Sequence, residues 1–405
     1  VQTWDDGYIV AGRSGDSQGN AWILKLDDEG MATEGCEAVE MDSDGYSLPG
    51  STNPRSVNTT ATAIITSAVV SSPTATVDDT SAAMGSGCEV IVPDLIDLAK
   101  TGQTVTELPG DDGDLQLGAT WPAPRFVDNN DGTITDALTG LMWLEDANCA
   151  YTSGYSADGK IDWAGSHVFV ADINDEAVDI SACGYSGDYD DWRLPNMVEL
   201  TSLVHWGETS MSDWLIGQGF ANVQPAQYWS SSPYARDASY SWFVHFISGG
   251  NASLRRSSSV YVWPVRAGQV ARPDPAYPAN LWRTGVSGDD LSVPGDDGEL
   301  RRGVAWPAPR FFDQGDGTAI DGLTGLMWLK DANCLEGPFN WWDAMGAVQA
   351  LNDGTSPYIC EEYAAEHNDW RMPNMLELTS MVDWSRWPYA LFPPPFISGL
   401  GGYLW

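Results

Sequence analysis

Two long stretches of this chain are close copies of each other, and that duplication limits what it can fold into more than any other feature. Residues 108–149 read LPGDDGDLQLGATWPAPRFVDNNDGTITDALTGLMWLEDANC, and residues 293–334 read VPGDDGELRRGVAWPAPRFFDQGDGTAIDGLTGLMWLKDANC. At a constant offset Trp121 matches Trp306, Asp136 matches Asp321 and Cys149 matches Cys334. After a short deletion the match resumes, with DWRLPNMVELTSLV at 191–204 against DWRMPNMLELTSMV at 369–382. The chain is therefore expected to hold one fold twice, over 93–268 and 269–405.

The copies differ where the second runs out. Phe220 and Tyr228-Trp229 align with Phe396 and Leu404-Trp405, so the sequence that follows in the first copy has no counterpart. That sequence, WFVHF at 242–246, a Gly-Gly-Asn turn and VYVWPVR at 260–266, reads as a closing β-hairpin. The second copy is expected to lack it, and the chain to stop inside a domain.

Upstream of the repeats, GYIVAG (7–12) and AWILKLD (21–27) alternate like two strands about a Gly/Ser/Asp turn. One hairpin is not stable alone, so residues 1–35 read as a fragment. It resembles one unit of the bladed repeats of bacterial surface proteins. Residues 36–92 include a Ser/Thr/Ala/Val-rich run at 51–82, which suggests an O-glycosylated or extended stalk, and its Thr, Val and Ile content also suits strands.

Six cysteines fall in three local pairs, Cys36 with Cys88, Cys149 with Cys183, and Cys334 with Cys360. None forms a CxxC pair and no His stands at metal-ligand spacing, which argues against zinc. An even count with one pair per segment reads as structural disulfides in an oxidising compartment, and two copies that keep a pair at equivalent places support Cys149–Cys183 and Cys334–Cys360 in particular. Charge points the same way. With 57 acidic against 19 basic residues the net charge is −38, which repels nucleic acid and anionic membrane faces and suits a solvated extracellular surface. No apolar run approaches the roughly 18 residues of a membrane span.

Within each copy, Asp131-Gly132 and Asp316-Gly317 between alternating residues mark hairpins, and LTGLMWL follows as a short buried strand. Helices are expected after the N-caps Asp162 and Asn340. A second helix in each copy opens with a capping box, Asn196 with Glu199 and Asn374 with Glu377, behind Pro195 or Pro373. Met197, Leu200, Leu203 and Val204 then share one face, as do Met375, Leu378, Met381 and Val382. The fold class is α+β: in each copy a twisted antiparallel sheet with two helices and long loops pinned by a disulfide.

GDGTxxDxLTGLMWLxDANC, DWRLPNxxEL, YWSSS (228–232) and VYVWPVR (260–266) together resemble the Lcl C-terminal domain family of bacterial envelope proteins, across 108–266 and most of 293–405. The resemblance implies two tandem C-type-lectin-like domains, a bacterial cell-surface location, and adhesion to glycans or other polymers. The second copy departs from the family by lacking YWSSS and YVWPVR. The family supplies no catalytic residues to carry over.

Three sets of residues invite a chemical reading. Trp192-Arg193 and Trp370-Arg371 could stack and bind a ligand; the structural alternative is an Arg buried against a carboxylate, such as Asp191 or Asp369, under a core Trp, and the helix that follows favours it. Asp128, Asn130, Asp131 and Asp136, with Asp313, Asp316 and Asp321, are clustered oxygen donors that could hold calcium, although turn chemistry accounts for most of them. Asp111-Asp112 and Asp296-Asp297 are similar. The histidines speak against catalysis: His205 becomes Asp383 and His167 becomes Met345 in the second copy, while His367 falls opposite Tyr189; His245 is the fourth. There is no HExxH, no GxSxG elbow and no P-loop: the one GxSxG string, GDSQG at 15–19, falls in the turn between the two N-terminal strand segments. The expected role is non-enzymatic: a subunit of a surface filament or layer that assembles with copies of itself through β-strand contacts, or a stalked glycan-binding adhesin.

Overall fold

The computed structural model describes residues 8–13, 21–26, 95–288, 293–332, 334, 339–356, 360, 363–364, 367–386 and 395–396. The expected stalk over 36–92, with the Cys36–Cys88 pair, lies outside the described residues. The chain forms two compact units. The first holds 1–94, 307–330 and 361–365, and the second holds 95–306, 331–360 and 366–405.

In the second unit the first copy is built from two sheets. Strands β3 (Phe126–Asp128), β4 (Thr133–Asp136) and β5 (Leu141–Leu144) form an antiparallel meander after the short helix α1 (Asp112–Leu115). The β3–β4 turn closes because Gly132 takes φ +80° and the Asp131 carboxylate accepts from the Thr133 amide at 3.0 Å. The other sheet has the order β6 (Lys160–Ile161), β10 (Val260–Tyr261), β7 (Gln227–Pro233), β8 (Tyr240–His245), β9 (Asn251–Arg255). The chain then returns through β11 (Val265–Ala267) to pair with β5. VYVWPVR is thus divided between the two sheets instead of forming one closing hairpin. Trp263, between β10 and β11, joins them: its ring lies 5.4 Å from Trp143 of β5 and 5.8 Å from Tyr228 of β7, and its Nε1 donates to the Leu144 carbonyl at 2.8 Å. An indole with its one polar atom satisfied can be buried completely, and Trp263 is.

The helices follow their caps. The Asp162 carboxylate accepts from Gly165 N at the start of α3 (Trp163–Asn174). Both halves of the capping box close at α4 (Met197–Thr201), where Asn196 accepts from the Glu199 amide and Glu199 accepts from the Asn196 amide. Several short helices were not expected from the sequence, among them α1, α2 (Cys149–Thr152) and α5 (Met211–Gly217). The last is capped by Ser210, and its buried Met211 and Leu215 are too few to show a periodicity. Cys149 and Cys183 are bonded, tying α2 to the loop before Trp192.

A parallel pair of short strands, β12 (Val270–Ala271) and β13 (Gly303–Val304), flanks helix α6 (Asp297–Leu300). Later in the same unit come α7 (Trp341–Asn352), capped by Asn340, α8 (Met375–Ser380), capped by the Asn374–Glu377 box, and the bonded pair Cys334–Cys360. The face predicted for α8 is altered at its first residue. Met197 is buried where α4 meets β7, whereas Met375 is exposed. The strand that buries Met197 has its counterpart beyond residue 400, outside the described residues.

The first unit has a two-stranded antiparallel pair, β1 (Tyr8–Arg13) with β2 (Ala21–Leu26). It also has the second copy's meander, β14 (Phe311–Asp313), β15 (Thr318–Asp321) and β16 (Met327–Leu329). The register of β14–β15 repeats that of β3–β4, Phe311 opposite Asp321 as Phe126 is opposite Asp136.

Candidate functional site

The Trp-Arg motif forms part of the core. Trp192 is buried, with its Nε1 donating to the Tyr185 hydroxyl at 3.3 Å. Arg193 is buried as well and donates to the Glu199 carboxylate at 2.6 Å and to the Ala267 carbonyl at 2.9 Å. The buried Arg–carboxylate pair under a core Trp is as expected, but its carboxylate is Glu199 and not the neighbouring Asp191. Asp191 instead takes Arg266, at 2.5 Å, while the carboxylate that neutralises Arg193 is the one that closes the α4 cap. In the second copy Arg371 likewise binds both oxygens of Glu377, at 2.7 and 2.5 Å. Trp192 therefore offers no exposed face for stacking a ligand.

The Asp-rich loops divide by position. Asp136 is buried and holds Arg125 through two bonds of 3.0 and 2.8 Å, while also accepting from the Leu138 amide and the Thr139 hydroxyl. Asp321 holds Arg310 in the same way, at 2.9 and 2.7 Å. Asp128 accepts from Asn130 N, and Asn130 itself adopts φ +60°. Asp131 and Asp316 accept from Thr133 N and Thr318 N, and Asp313 receives the Gly315 amide and the Lys330 ammonium. Each carboxylate is engaged in its own loop, and among the described residues no three His, Cys, Asp or Glu side chains gather as a ligand set.

The histidines are dispersed. His167 is buried against Trp163 at 4.6 Å, and burial, aided by the charge of Arg256, lowers its pKa to about 4. His205 lies between Trp121 and Trp214, both 4.9 Å away, and its Nδ1 accepts from Gly207 N. His245 Nδ1 accepts from Ile247 N. His367 meets the edge of Trp370.

What the two copies do bring together is a seam. The leader of each copy runs ahead of the obvious repeat and contains a Thr-Gly pair, Thr101-Gly102 and Thr284-Gly285. Each leader lies against its own copy: Ala99 bridges to Ala119 and Trp282 to Val304, both parallel. The close approach is possible because Gly118 (φ +115°) and Gly303 (φ +105°) have no Cβ, which would sit 2.7 Å from the Ala99 carbonyl carbon and 2.6 Å from that of Trp282. Thr101 O receives Trp206 N, and Thr284 O receives Trp384 N, both at 3.0 Å or less.

The leaders also bond to each other at equivalent residues. Asn280 N donates to Asp97 O at 2.9 Å, and Asp97 N donates to Asn280 Oδ1 at 3.2 Å. Matching positions that meet in this way lie about a local pseudo-twofold axis. A further link crosses from one copy to the other: Asp297, fully buried at the start of α6 in the second copy, accepts from Thr284 of the second leader and from Ser232 of β7, each at 2.6 Å. Ser232 Oγ in turn accepts from Met197 N at the start of α4. Burial raises the Asp297 carboxyl to about 7 against the pull of these hydroxyls. The sequence carried a signal for the leaders, DLAKTG at 97–102 against NLWRTG at 280–285, but not for their pairing.

No helix among the described residues is long and apolar enough to cross a membrane. Comparison with curated proteins finds no match. The Lcl C-terminal domain, by contrast, matches residues 132–266 and 317–405, the stretches that carry the last two strands of each meander and the capped helices α3, α4, α7 and α8. The bonded cysteines and this domain together fit an extracellular protein. Because the matched residues make up more than half of the sequence and coincide with the two copies, the chain belongs to the Lcl C-terminal domain family and carries that domain in tandem.

Proposed function

We propose that this chain is a non-enzymatic structural or adhesive subunit, assembled with copies of itself at the bacterial surface through β-strand contacts, its two domains having a C-type-lectin-like fold. The observation that carries this reading is the free edge of β9. It is the last strand of the five-stranded sheet, and among the described residues nothing pairs with its outer side. Arg256 N donates to Ser239 O on one flank, and Gly250 O accepts from His245 N on the other. By alternation the main-chain groups of Asn251 and Ser253 and the amide of Arg255 face outward, ready to receive a strand, while the Arg255 carbonyl accepts from Ser258 N.

Charge identifies a fitting occupant. Arg255 is exposed on this edge, in a protein of net charge −38. The chain's own segment from Asp27 to Asp44 contains eight acidic residues and no basic one (Asp27, Asp28, Glu29, Glu34, Glu37, Glu40, Asp42, Asp44). A neighbour's N-terminal segment would bring negative charge to a basic edge. Electron microscopy of the purified protein, with and without a calcium chelator, tests the proposal. Regular fibres or sheets are expected. Their collapse on chelation would give the Asp loops a calcium-binding role, and discrete monomers would overturn assembly.

A stalked glycan-binding adhesin is the second reading. It is favoured by Trp342, which is 55% exposed at the first turn of α7 with its ring edge-on to Trp341 at 4.8 Å. Sugar rings stack on such indole faces. A glycan array probed with the full chain and with Trp342→Ala decides this reading.

A further inference from the structure

The seam holds a cavity, and several of the residues around it carry unpaired polar atoms. Lys100, Arg125, Thr201, Asn280, Trp282 and Leu376 are among its walls, with both leaders and both capped helices contributing. It has room for roughly one or two water-sized guests. Four lining side chains each have a buried polar atom without a hydrogen-bond partner: Arg125 Nη1, Thr201 Oγ1, Asn280 Nδ2 and Trp282 Nε1. All four residues are at least nine-tenths buried, with relative exposures of 4, 3, 4 and 3%. Buried polar groups are nearly always paired, so four orphans among the residues around one cavity call for a guest.

The rest of each side chain is fixed. Arg125 spends Nε and Nη2 on Asp136 and on the Ser202 carbonyl. The orientation of the Asn280 amide is set by Oδ1, which accepts from Asp97 N, and this leaves both Nδ2 hydrogens unused. Three of the four orphans are N–H donors only, and the fourth is a hydroxyl that can donate. The charged residues of the lining are both cationic, Lys100 and Arg125, and no carboxylate reaches it. A water molecule placed here would meet donors while having its own protons to place. An acceptor without protons matches the set, and the apolar remainder, including Leu376, favours one that sheds its hydration easily.

We infer that the seam cavity binds a small, weakly hydrated monovalent anion of the halide class, held by Arg125, Asn280, Trp282 and Thr201. The guest links the two copies, since Asn280 and Trp282 belong to the second leader, and Arg125 and Thr201 to the first domain.

The test uses the full chain in sodium bromide, with sodium fluoride at equal ionic strength as the strongly hydrated control. Crystals in bromide are expected to show an anomalous bromine peak beside Asn280 and Trp282. In solution, thermal unfolding is expected to move upward with each tenfold rise in bromide and not with fluoride, as ligand binding to the folded state requires. Asn280→Asp, which installs the residue found at the matching position Asp97, should weaken bromide binding ~10-fold or more by placing a negative charge in the cavity. Thr201→Val should weaken it less and serves if the first variant does not fold. Water alone in the cavity, equal melting in bromide and fluoride, or an unchanged bromide response in both variants would each overturn the inference.

Discussion

The Glu199 carboxylate joins two structures that the sequence presents separately: one oxygen accepts from the buried Arg193 guanidinium at 2.6 Å, and the other accepts from the Asn196 amide at 2.9 Å to close the α4 cap. Burying an arginine in this way is tolerable only while its counter-charge stays in place. Glu199→Gln keeps the shape and removes that charge, so it should cost about 3–5 kcal/mol, as loss of one partner from a buried pair does. Glu377→Gln should cost less, because Arg371 is 26% exposed and can be rehydrated. Urea unfolding of the two variants gives the comparison, and equal losses would refute the assigned difference.

The Cys149–Cys183 bond ties α2 to the loop that leads into Trp192. Its removal should destabilise the first domain by about 2–4 kcal/mol through the loop it closes. Melting with and without a strong reductant, followed by the Cys149→Ser/Cys183→Ser variant, measures this. Identical melting curves would contradict a structural bridge.

Two buried groups should give stability opposing slopes against pH. Asp297 has its carboxyl raised by burial from 3.8 to about 7, so the folded state holds this proton more tightly than the unfolded chain. Its contribution is greatest below pH 4 and declines as pH climbs towards 7. His167 is lowered by burial from 6.5 to about 4, so its contribution is present above pH 6.5 and fades as pH falls towards 4. Asp297→Asn removes the first slope alone, and stability of the variant should therefore rise more steeply with pH between 4 and 7 than that of the native chain. Unfolding free energies across that window decide the matter, and parallel profiles would rule out this role for Asp297.

Strand addition at β9 needs the outward amide of Ser253. Ser253→Pro removes it on the side away from β8, a position where edge strands accept proline. The substitution should abolish fibres while leaving the free subunit's stability within about 1 kcal/mol. Intact fibres in the variant would exclude β9 as the docking edge.

Much of this fold could be read from local chemistry. Asp162 and Asn340 begin α3 and α7 as their side chains dictate, both capping boxes close, and Asp131-Gly132 turns the first hairpin. The failures are non-local. The partner of Arg193 was expected next door, at a carboxylate such as Asp191, because nothing in a linear sequence shows that the first turn of α4 swings Glu199 beneath the guanidinium. Helix α5 is too short for a period to emerge. The seam escaped notice because the likeness of the two leaders, DLAKTG and NLWRTG, does not reveal their mutual pairing, which is made by main-chain atoms and an Asp/Asn pair with no sequence signature.

The mutual bonds of Asp97 and Asn280, with Ser232 reaching into the second copy to Asp297, bear on how this molecule can be divided. Scissors placed between residues 268 and 269, where the repeat suggests a boundary, would leave the first half without the carboxylate that occupies its Ser232 and without the amide that caps its Asp97. Each half completes the other, as subunits of a homodimer do, but on one thread the encounter no longer depends on how much protein is present. Duplication here has made a pair that is inherited as a single gene product, and a change in either leader is felt by both halves.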